Sequence, residues 1–302
     1  MNILFRTDSS STIGTGHIMR DLVLAQQFTD TNIIFATQNL PRNINYIIEE
    51  KGYQLEVLHS SELSDLIEVI NKYDIEMIII DHYAVNENYE KALKNLTGIK
   101  IFVLDDTYER HFCDILLNHN IYADEKKYRG LVPENCELRC GEKYTLLRDE
   151  FIEAKLANTY LKDERTKTIF VAMGGSDVLN LNPKILKVLE RFENVEVNLV
   201  TTVANQNLEE LQQFVQDRPW VSLHINSTQI AKLVAKSNLA IVTPSVTINE
   251  VWYMQISFIA IEVAENQAYM SEFLRRKNKV ILKEYSHKTL YNIINEELKG
   301  LK

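Results

Sequence analysis

The residues with the clearest chemical purpose lie in one stretch from Arg6 to Arg20, which also holds Asp8, Gly14, Gly16 and His17. It starts where the apolar run Ile3-Leu4-Phe5 ends, and it enters a pattern that puts Ile18, Leu22 and Ala25 on one helical face. The implied order is strand, polar glycine loop, helix start. Unpaired N–H groups and the positive dipole end at such a helix start favour an anion, most often a phosphate. Gly14 and Gly16 allow a tight turn and close backbone approach. An imidazole at the mouth of the helix meets a positive potential that disfavours imidazolium, so His17 is predicted to be neutral and able to accept a proton. An anion cradle beside a base suggests an enzyme. The plain alternative is a capping histidine after an ordinary α/β turn. A dinucleotide fingerprint fits poorly: its third glycine position is Met19, and the next strand ends in Thr37-Gln38 rather than an acid.

Further along, Gly174-Gly175-Ser176-Asp177 follows the apolar Phe170-Val171-Ala172-Met173 directly; it is either a backbone phosphate cradle or a tight turn. Pro244-Ser245-Val246 follows another apolar run and starts a helix, with Ser245 predicted as its N-cap. Glu250, one turn beyond Val246, is placed either to accept two hydrogen bonds from ribose hydroxyls or to complement the helix dipole. Glu265-Asn266-Gln267 offers amides to a sugar or phosphate. Asp81-His82-Tyr83 lacks a G-x-S-x-G elbow elsewhere in the chain, which argues against a serine triad. Asp105 and Asp106 are suited to magnesium or a sugar hydroxyl, or are simply solvated; no metal is demanded. His59, His111, His119, His224 and His287 form no recognisable constellation, and surface or core roles are expected for them.

The elements that must position these residues alternate. Strands are predicted over 2–5, 32–36, 54–58, 77–80, 100–104 and 115–117, with helices over 43–51, 61–73 and 87–96. A charged helix over 147–167 separates the halves. A second series follows, with strands over 168–173, 195–200, 221–225, 239–243, 258–261 and 279–282. Its helices are predicted over 183–192, 206–216, 228–237, 246–254 and 267–277. A last helix, 286–302, either stays there or crosses back. Continuous apolar strands such as Met77-Ile78-Ile79-Ile80 indicate parallel sheets covered on both faces, which bind ligands beyond the carboxyl ends of their strands. The expected architecture is α/β, two Rossmann-like domains at 1–150 and 151–302 facing across a cleft, the glycosyltransferase-B arrangement.

Composition narrows the partners. Lys and Arg total 33 against 42 Asp and Glu, a net charge of −9 that argues against nucleic acid or an anionic membrane as partner. With 45% apolar and 25% charged residues the chain reads as globular rather than disordered. Cys113, Cys136 and Cys140 make no disulfide framework and fit a reducing compartment, and Cys136 and Cys140 lack a second ligand pair for zinc. Arg6 and Asp8 stand where a signal peptide needs its apolar core, and no run reaches membrane-spanning length. A cytoplasmic protein is expected.

Taken together, these stretches resemble the UDP-sugar hydrolases of pseudaminic acid biosynthesis over nearly the whole chain. The resemblance is carried by the block Arg6, Asp8, Gly14, Gly16, His17, Arg20, by Asp81-His82-Tyr83, Asp105-Asp106 and the segment Cys140 to Phe151 with Arg148. It also rests on Gly174 to Asp177, Asn249-Glu250 and Glu265 to Gln267. The first block is the most specific. One departure is Thr243-Pro244-Ser245, where relatives often carry small residues. The resemblance implies a glycosyltransferase-B fold and release of UDP and free sugar from a UDP-linked diacetamido-trideoxy-altropyranose, without cofactor or metal. It implies His17 as general base and Glu250 as the ribose ligand. Substrate contacts are then expected from Arg6, Asp8, Gly14, Gly16, Arg20, Asp81, Tyr83, Gly174, Gly175, Ser176, Ser245, Val246, Glu250, Asn266 and Gln267. Two alternatives stay open: a transferase using the same donor, and a non-catalytic nucleotide-sugar binder.

Overall fold

The alternating pattern forms two separate all-parallel sheets in the computed structural model, which describes residues 1–157 and 166–300. The chain divides into two compact units, Met1–Leu146 and Leu147–Lys302.

In the first unit the strands are β1 Asn2–Thr7, β2 Asn32–Gln38, β3 Gln54–Leu58, β4 Met77–Asp81, β5 Lys100–Leu104, β6 Ile115–Asn118 and β7 Glu137–Cys140. The helices are α1 Gly16–Ala25, α2 Tyr46–Glu50, α3 Leu63–Lys72 and α4 Glu87–Thr97. The sheet order is β3-β2-β1-β4-β5-β6-β7. Its two faces separate by residue parity, as the pleat requires. Leu4, Ile34, Ile78, Ile80, Ile101 and Val103 pack on one side. Ile3, Phe5, Ile33, Phe35, Ile79 and Phe102 pack on the other with Ile18, Leu22 and Ala25 of α1. Sequence reading misses β7, because Glu137 and Arg139 break its apolar pattern; it survives as an edge strand paired only to β6.

In the second unit the strands are β8 Lys167–Ala172, β9 Val195–Thr201, β10 Val221–Ile225, β11 Leu239–Val242, β12 Ser257–Ile261 and β13 Val280–Leu282, ordered β10-β9-β8-β11-β12-β13. The helices are α5 Asp149–Ala157, α6 Asn182–Leu189, α7 Leu208–Gln216, α8 Ile230–Lys236, α9 Val246–Tyr253, α10 Ala268–Arg276 and α11 His287–Gly300. Of the helix predicted over 147–167, Asp149–Ala157 forms α5, residues 158–165 lie outside the described residues, and Lys167 instead opens β8. Leu290 and Ile294 of α11 are buried in this unit's core with Ile185 and Leu189 of α6, so the described part of the last helix stays with the second unit; 301–302 are likewise outside the described residues. Among the described residues no helix is long and apolar enough to cross a membrane.

Each sheet has one point where strand order reverses, between β1 and β4 in the first unit and between β8 and β11 in the second. Loops leaving the carboxyl ends of such strand pairs diverge and leave a crevice. The stretches at 6–20, 81–83, 174–177 and 244–246 follow these strands, whereas Asp105-Asp106 follows β5 and Glu265–Gln267 follows β12.

Candidate active site

In the first unit, register pairs Thr7 with Asp81, so the loop after β1 and the end of β4 lie at one level. The loop folds on itself: Ser10 N–H donates to Gly14 O at 3.2 Å and Gly14 N–H to Ser10 O at 2.9 Å. Ser10 Oγ also accepts from Thr12 and Ile13 N–H at 3.2 and 3.0 Å. Gly14 sits at φ +85°, the left-handed region glycine favours, and Gly16 opens α1. The compact loop thereby delivers His17 as the second residue of α1.

The His17 ring is 7% exposed, and its Nδ1 lies 3.1 Å from the main-chain oxygen of Asp81. A carbonyl only accepts, so Nδ1 carries the proton and the lone pair is on Nε2. Tyr83 packs edge-on at 4.8 Å between ring centroids. Burial is the largest influence lowering the His17 pKa; the Asp81 charge opposes it and the Arg20 charge reinforces it. The shift favours the neutral ring and comes chiefly from desolvation rather than from a helix end.

Arg20, three residues on, binds Asp81 with two hydrogen bonds, Nε to Oδ2 at 2.6 Å and Nη2 to Oδ1 at 2.5 Å. Its Nη1 donates to Asp106 Oδ2 at 3.0 Å, and Tyr83 OH donates to the same carboxylate at 3.0 Å. Although burial pushes the Asp81 carboxyl up, Arg20 outweighs it and holds it ionised below the usual range. The alternative that Asp105 and Asp106 are solvated is corrected: both are buried. Asp105 accepts from Thr107 and Tyr108 N–H at 2.9 and 2.8 Å and from Tyr128 OH at 2.6 Å.

Arg6 and Asp8 hold each other in a separate buried pair, Nη2 to Oδ2 at 2.9 Å and Nη1 to Oδ1 at 2.8 Å. His82 Nε2–H donates to Asp8 at 3.0 Å, and Gln38 N–H donates at 2.7 Å. Burial pushes the Asp8 carboxyl up, but the bonds from His82 and Arg6 prevail and hold it at about 2. Of the predicted residues, the first unit therefore brings together His17, Arg20, Asp81 and Tyr83. Tyr83 is 52% exposed, so its ring reaches past the buried charges to solvent.

In the second unit, Val242 pairs with Ala172, which aligns the loop after β8 with the start of α9. Gly174 has φ +78°. The Gly175 carbonyl accepts from Thr202 N–H at 3.0 Å and from the Thr201 and Thr202 hydroxyls at 3.1 and 3.0 Å. Ser176 is buried, and Asp177 accepts from Leu181 and Asn182 N–H at 2.8 and 2.9 Å, capping α6. Burial raises the Asp177 carboxyl to about 6 against those two bonds. Ser245 stands at the N-cap of α9 before Val246, but its hydroxyl pairs with Thr243 Oγ1 at 2.8 Å, so the predicted side-chain cap is corrected: it makes no capping bond. Gln267 Oε1 accepts from Val263 N–H at 2.9 Å and closes the loop after β12, with Asn266 exposed on it.

Glu250 lies beyond the first turn of α9 and is 3% exposed, which removes the helix-dipole reading. Arg148 grips it, Nε to Oε1 at 2.8 Å and Nη2 to Oε2 at 3.0 Å. Sequence reading does not assign Arg148 to the site; it lies in the Cys140–Phe151 segment that carries the resemblance, 102 residues from its partner. The Asp106 carboxylate is held by Arg20 and Tyr83, and its main-chain oxygen accepts from the Tyr122 hydroxyl. Among the described residues no group of three His, Cys, Asp or Glu side chains converges as a metal site.

No family model matches the chain. Over 277 residues, 92% of this chain and 97% of the relative, it is 39% identical to the UDP-2,4-diacetamido-2,4,6-trideoxy-β-L-altropyranose hydrolase of Campylobacter jejuni. Among solved structures, the spinosyn rhamnosyltransferase SpnG matches with a TM-score of 0.68 at 11% identity, covering 99% of this chain and 92% of that one. HepE of Anabaena in complex with UDP-glucose matches with a TM-score of 0.62 at 12% identity, covering 99% and 90%. Those likenesses show the glycosyltransferase-B fold. The identity to the Campylobacter enzyme, held over almost the full length of both chains, shows that this chain belongs to the family of UDP-2,4-diacetamido-2,4,6-trideoxy-β-L-altropyranose hydrolases.

Proposed function

We propose that the protein hydrolyses a UDP-linked 2,4-diacetamido-2,4,6-trideoxy-hexose of the β-L-altropyranose type to UDP and the free sugar. The observation that carries this reading within the structure is His17: a buried, neutral imidazole, its Nδ1–H committed to the Asp81 carbonyl and its Nε2 lone pair uncommitted to that bond, at the strand-order reversal of the first sheet. Nε2 takes a proton from water as the water oxygen bonds to the anomeric carbon. The bond from that carbon to the diphosphate oxygen breaks on the opposite face, its electrons leave with UDP, and the configuration inverts. General-base assistance of this kind typically contributes ~10²–10⁴-fold.

The second unit holds the nucleotide. Its diphosphate lies at Gly174, Gly175 and Ser176 and at the start of α9 after Ser245 and Val246, where N–H groups stabilise the departing charge. Glu250 takes the ribose hydroxyls. Each of its oxygens already accepts from Arg148 and keeps a further lone pair, so Arg148 fixes the carboxylate without filling it. Asn266 and Gln267 border the sugar or phosphate. In the first unit Tyr83 meets the sugar, whereas Arg6 and Asp8 brace the loop from within, since their charges face each other. The proposed compartment is the cytoplasm, where Cys113, Cys136 and Cys140, all unbridged, stay reduced. The proposed partner is a UDP-sugar, not nucleic acid or membrane.

Proton NMR of the protein with the UDP-linked diacetamido-trideoxy-altrose tests the reading. Free sugar, first as the inverted anomer, and UDP are expected without any acceptor. His17→Asn should lose ~10²–10⁴-fold in turnover and keep its UDP affinity. A fully active His17→Asn variant overturns the role of the base. Turnover that appears only with an added acceptor makes the protein a transferase, and UDP binding with no turnover makes it a binding protein.

A further inference from the structure

The spacing of Arg20 after His17 invites a ligand-binding reading, yet all three nitrogens of its guanidinium donate inward, and the side chain is 4% exposed. We propose that Arg20 is a positioning residue: it keeps Asp81 from capturing the His17 proton and fixes Tyr83 beside the same ring, and it does not bind substrate. The assignment rests on the reading of His17 as base, and the experiment below separates the two.

Asp81 faces His17 with two acceptors. Its main-chain oxygen is 3.1 Å from Nδ1, and its Oδ1 is 3.4 Å from the same atom. A carboxylate is the stronger acceptor, because hydrogen bonds with an ionised partner are roughly twice as strong as neutral ones. Left free, it would turn towards Nδ1–H, stabilise imidazolium and reduce the fraction of base. Arg20 prevents this by a two-pronged grip on both carboxylate oxygens, which leaves Nδ1–H to the neutral carbonyl. The third nitrogen acts on the other partner: Nη1 holds Asp106, whose carboxylate takes the Tyr83 hydroxyl. One guanidinium thus fixes both the acceptor behind the base and the aromatic ring that packs against it. The i, i+3 spacing on α1 puts both side chains on the same side of the helix, facing the end of β4.

The charged and titratable groups around His17 come from every neighbouring element. They are Arg20 on α1, Asp81 at the end of β4, Tyr83 just after it, Asp106 after β5 and His119 after β6. Burial pushes His119 down to about 3, so it is a neutral neighbour. Asp21 lies near Asp81, and burial raises its carboxyl far above the ordinary range, so it too is neutral. Arg20 is the cation of this set. Removing it leaves Asp81 and Asp106 unopposed, and the His17 pKa must rise.

The test is an NMR titration of His17 in isotopically labelled free protein, with kinetics alongside. Wild type should show the Nδ1–H tautomer. Arg20→Gln should raise the His17 titration by at least about one unit and move the acid limb of kcat/KM to higher pH by the same amount. kcat should fall about 10²-fold, while KM and the Kd for UDP change less than about threefold. Arg20→Lys keeps the charge without the fork; it should restore part of the shift and serves if Arg20→Gln does not fold. A raised KM or weakened UDP binding with the His17 titration unmoved in either variant makes Arg20 a ligand and overturns the proposal. If wild type releases no UDP but the titration shifts as stated, the hydrolase reading fails and the positioning role of Arg20 stands.

Discussion

The two strand-order reversals occupy equivalent places in their sheets and are built from opposite materials. The first sets the His17 ring among the buried charges of Arg20, Asp81 and Asp106, with the Arg6–Asp8 pair beside them. The second presents Gly174, Gly175, hydroxyls and the start of α9, with the half-buried Arg148 shared between the buried Glu250 and Glu150. A proton-transfer site needs a base whose tautomer and pKa are fixed, and buried charges do that well. An anion site needs N–H groups that approach closely, and glycine loops with little side chain do that. Asp8 and Asp177, each in the loop after the first strand of its unit, show the contrast in one residue type. Guanidinium and imidazole partners hold Asp8 at about 2, whereas Asp177 has backbone donors and stands at about 6.

The largest effect should come from breaking the buried Arg6–Asp8 pair. Arg6→Met leaves Asp8 buried with its ion partner gone, and one-sided breaks of buried pairs cost about 3–5 kcal/mol. Denaturant unfolding should show a loss of that size, and Asp8→Asn should show a similar one. The double variant, Arg6→Met with Asp8→Leu, should lose less than the sum, because no charge is left uncompensated. A strictly additive double variant would mean the pair acts as two independent surface charges, and the contrast with the second unit would disappear.

The two aspartates should also give stability profiles of opposite sign. Asp8 has a folded pKa of about 2 against the ordinary 3.8, so its contribution is full above about pH 4 and is lost as pH falls through 2. Asp177 has a folded pKa of about 6, so the folded state keeps the proton longer. Its contribution is full below about pH 4 and is lost as pH rises through 6, by at most about 3 kcal/mol. Asp177→Asn should flatten the decline between pH 4 and 6 and leave the acid limb set by Asp8 unchanged. Thermal melts across pH 2–8 read both. A decline between pH 4 and 6 that persists in Asp177→Asn would assign it to another group.

Local pattern carried most of the fold and the outline of the site. Apolar runs such as Met77 to Ile80 mark buried parallel strands, and the polar stops after β1, β4, β8 and β11 mark the carboxyl ends of those strands. What was not legible depends on partners distant in sequence. Arg20 and Asp106 are 86 residues apart and Arg148 and Glu250 are 102 apart, so the motifs show that charges are present but not which ones neutralise each other. The same limit applies to Arg6, Asp8 and Arg20: the sequence shows three charged residues in and just after a glycine loop, and their buried partners come from the fold. Edge strand β7 fails for another reason: at the margin of a sheet one face tolerates Glu137 and Arg139, and the apolar signal fades.

The smallest expected effect probes the Arg148–Glu250 ion pair of the second unit. Arg148 holds both oxygens of Glu250, and its ring contact with Phe151, 5.0 Å to the centroid, fixes the guanidinium in turn. If Glu250 takes the ribose, Arg148→Met should weaken UDP binding about tenfold, ~1.4 kcal/mol, because the carboxylate must be ordered on binding rather than beforehand. The His17 titration should not move. Glu250→Gln should cost at least as much, since it removes an acceptor as well as the pair. Calorimetric titration with UDP and with uracil-bearing deoxy-UDP separates the contributions: in Glu250→Gln the preference for the ribose 2′-hydroxyl should shrink, and in Arg148→Met it should persist at lower affinity. An Arg148→Met variant with unchanged UDP affinity would reduce the pair to a structural brace of α9, and the second unit would then bind its nucleotide without any charged side chain placed in advance.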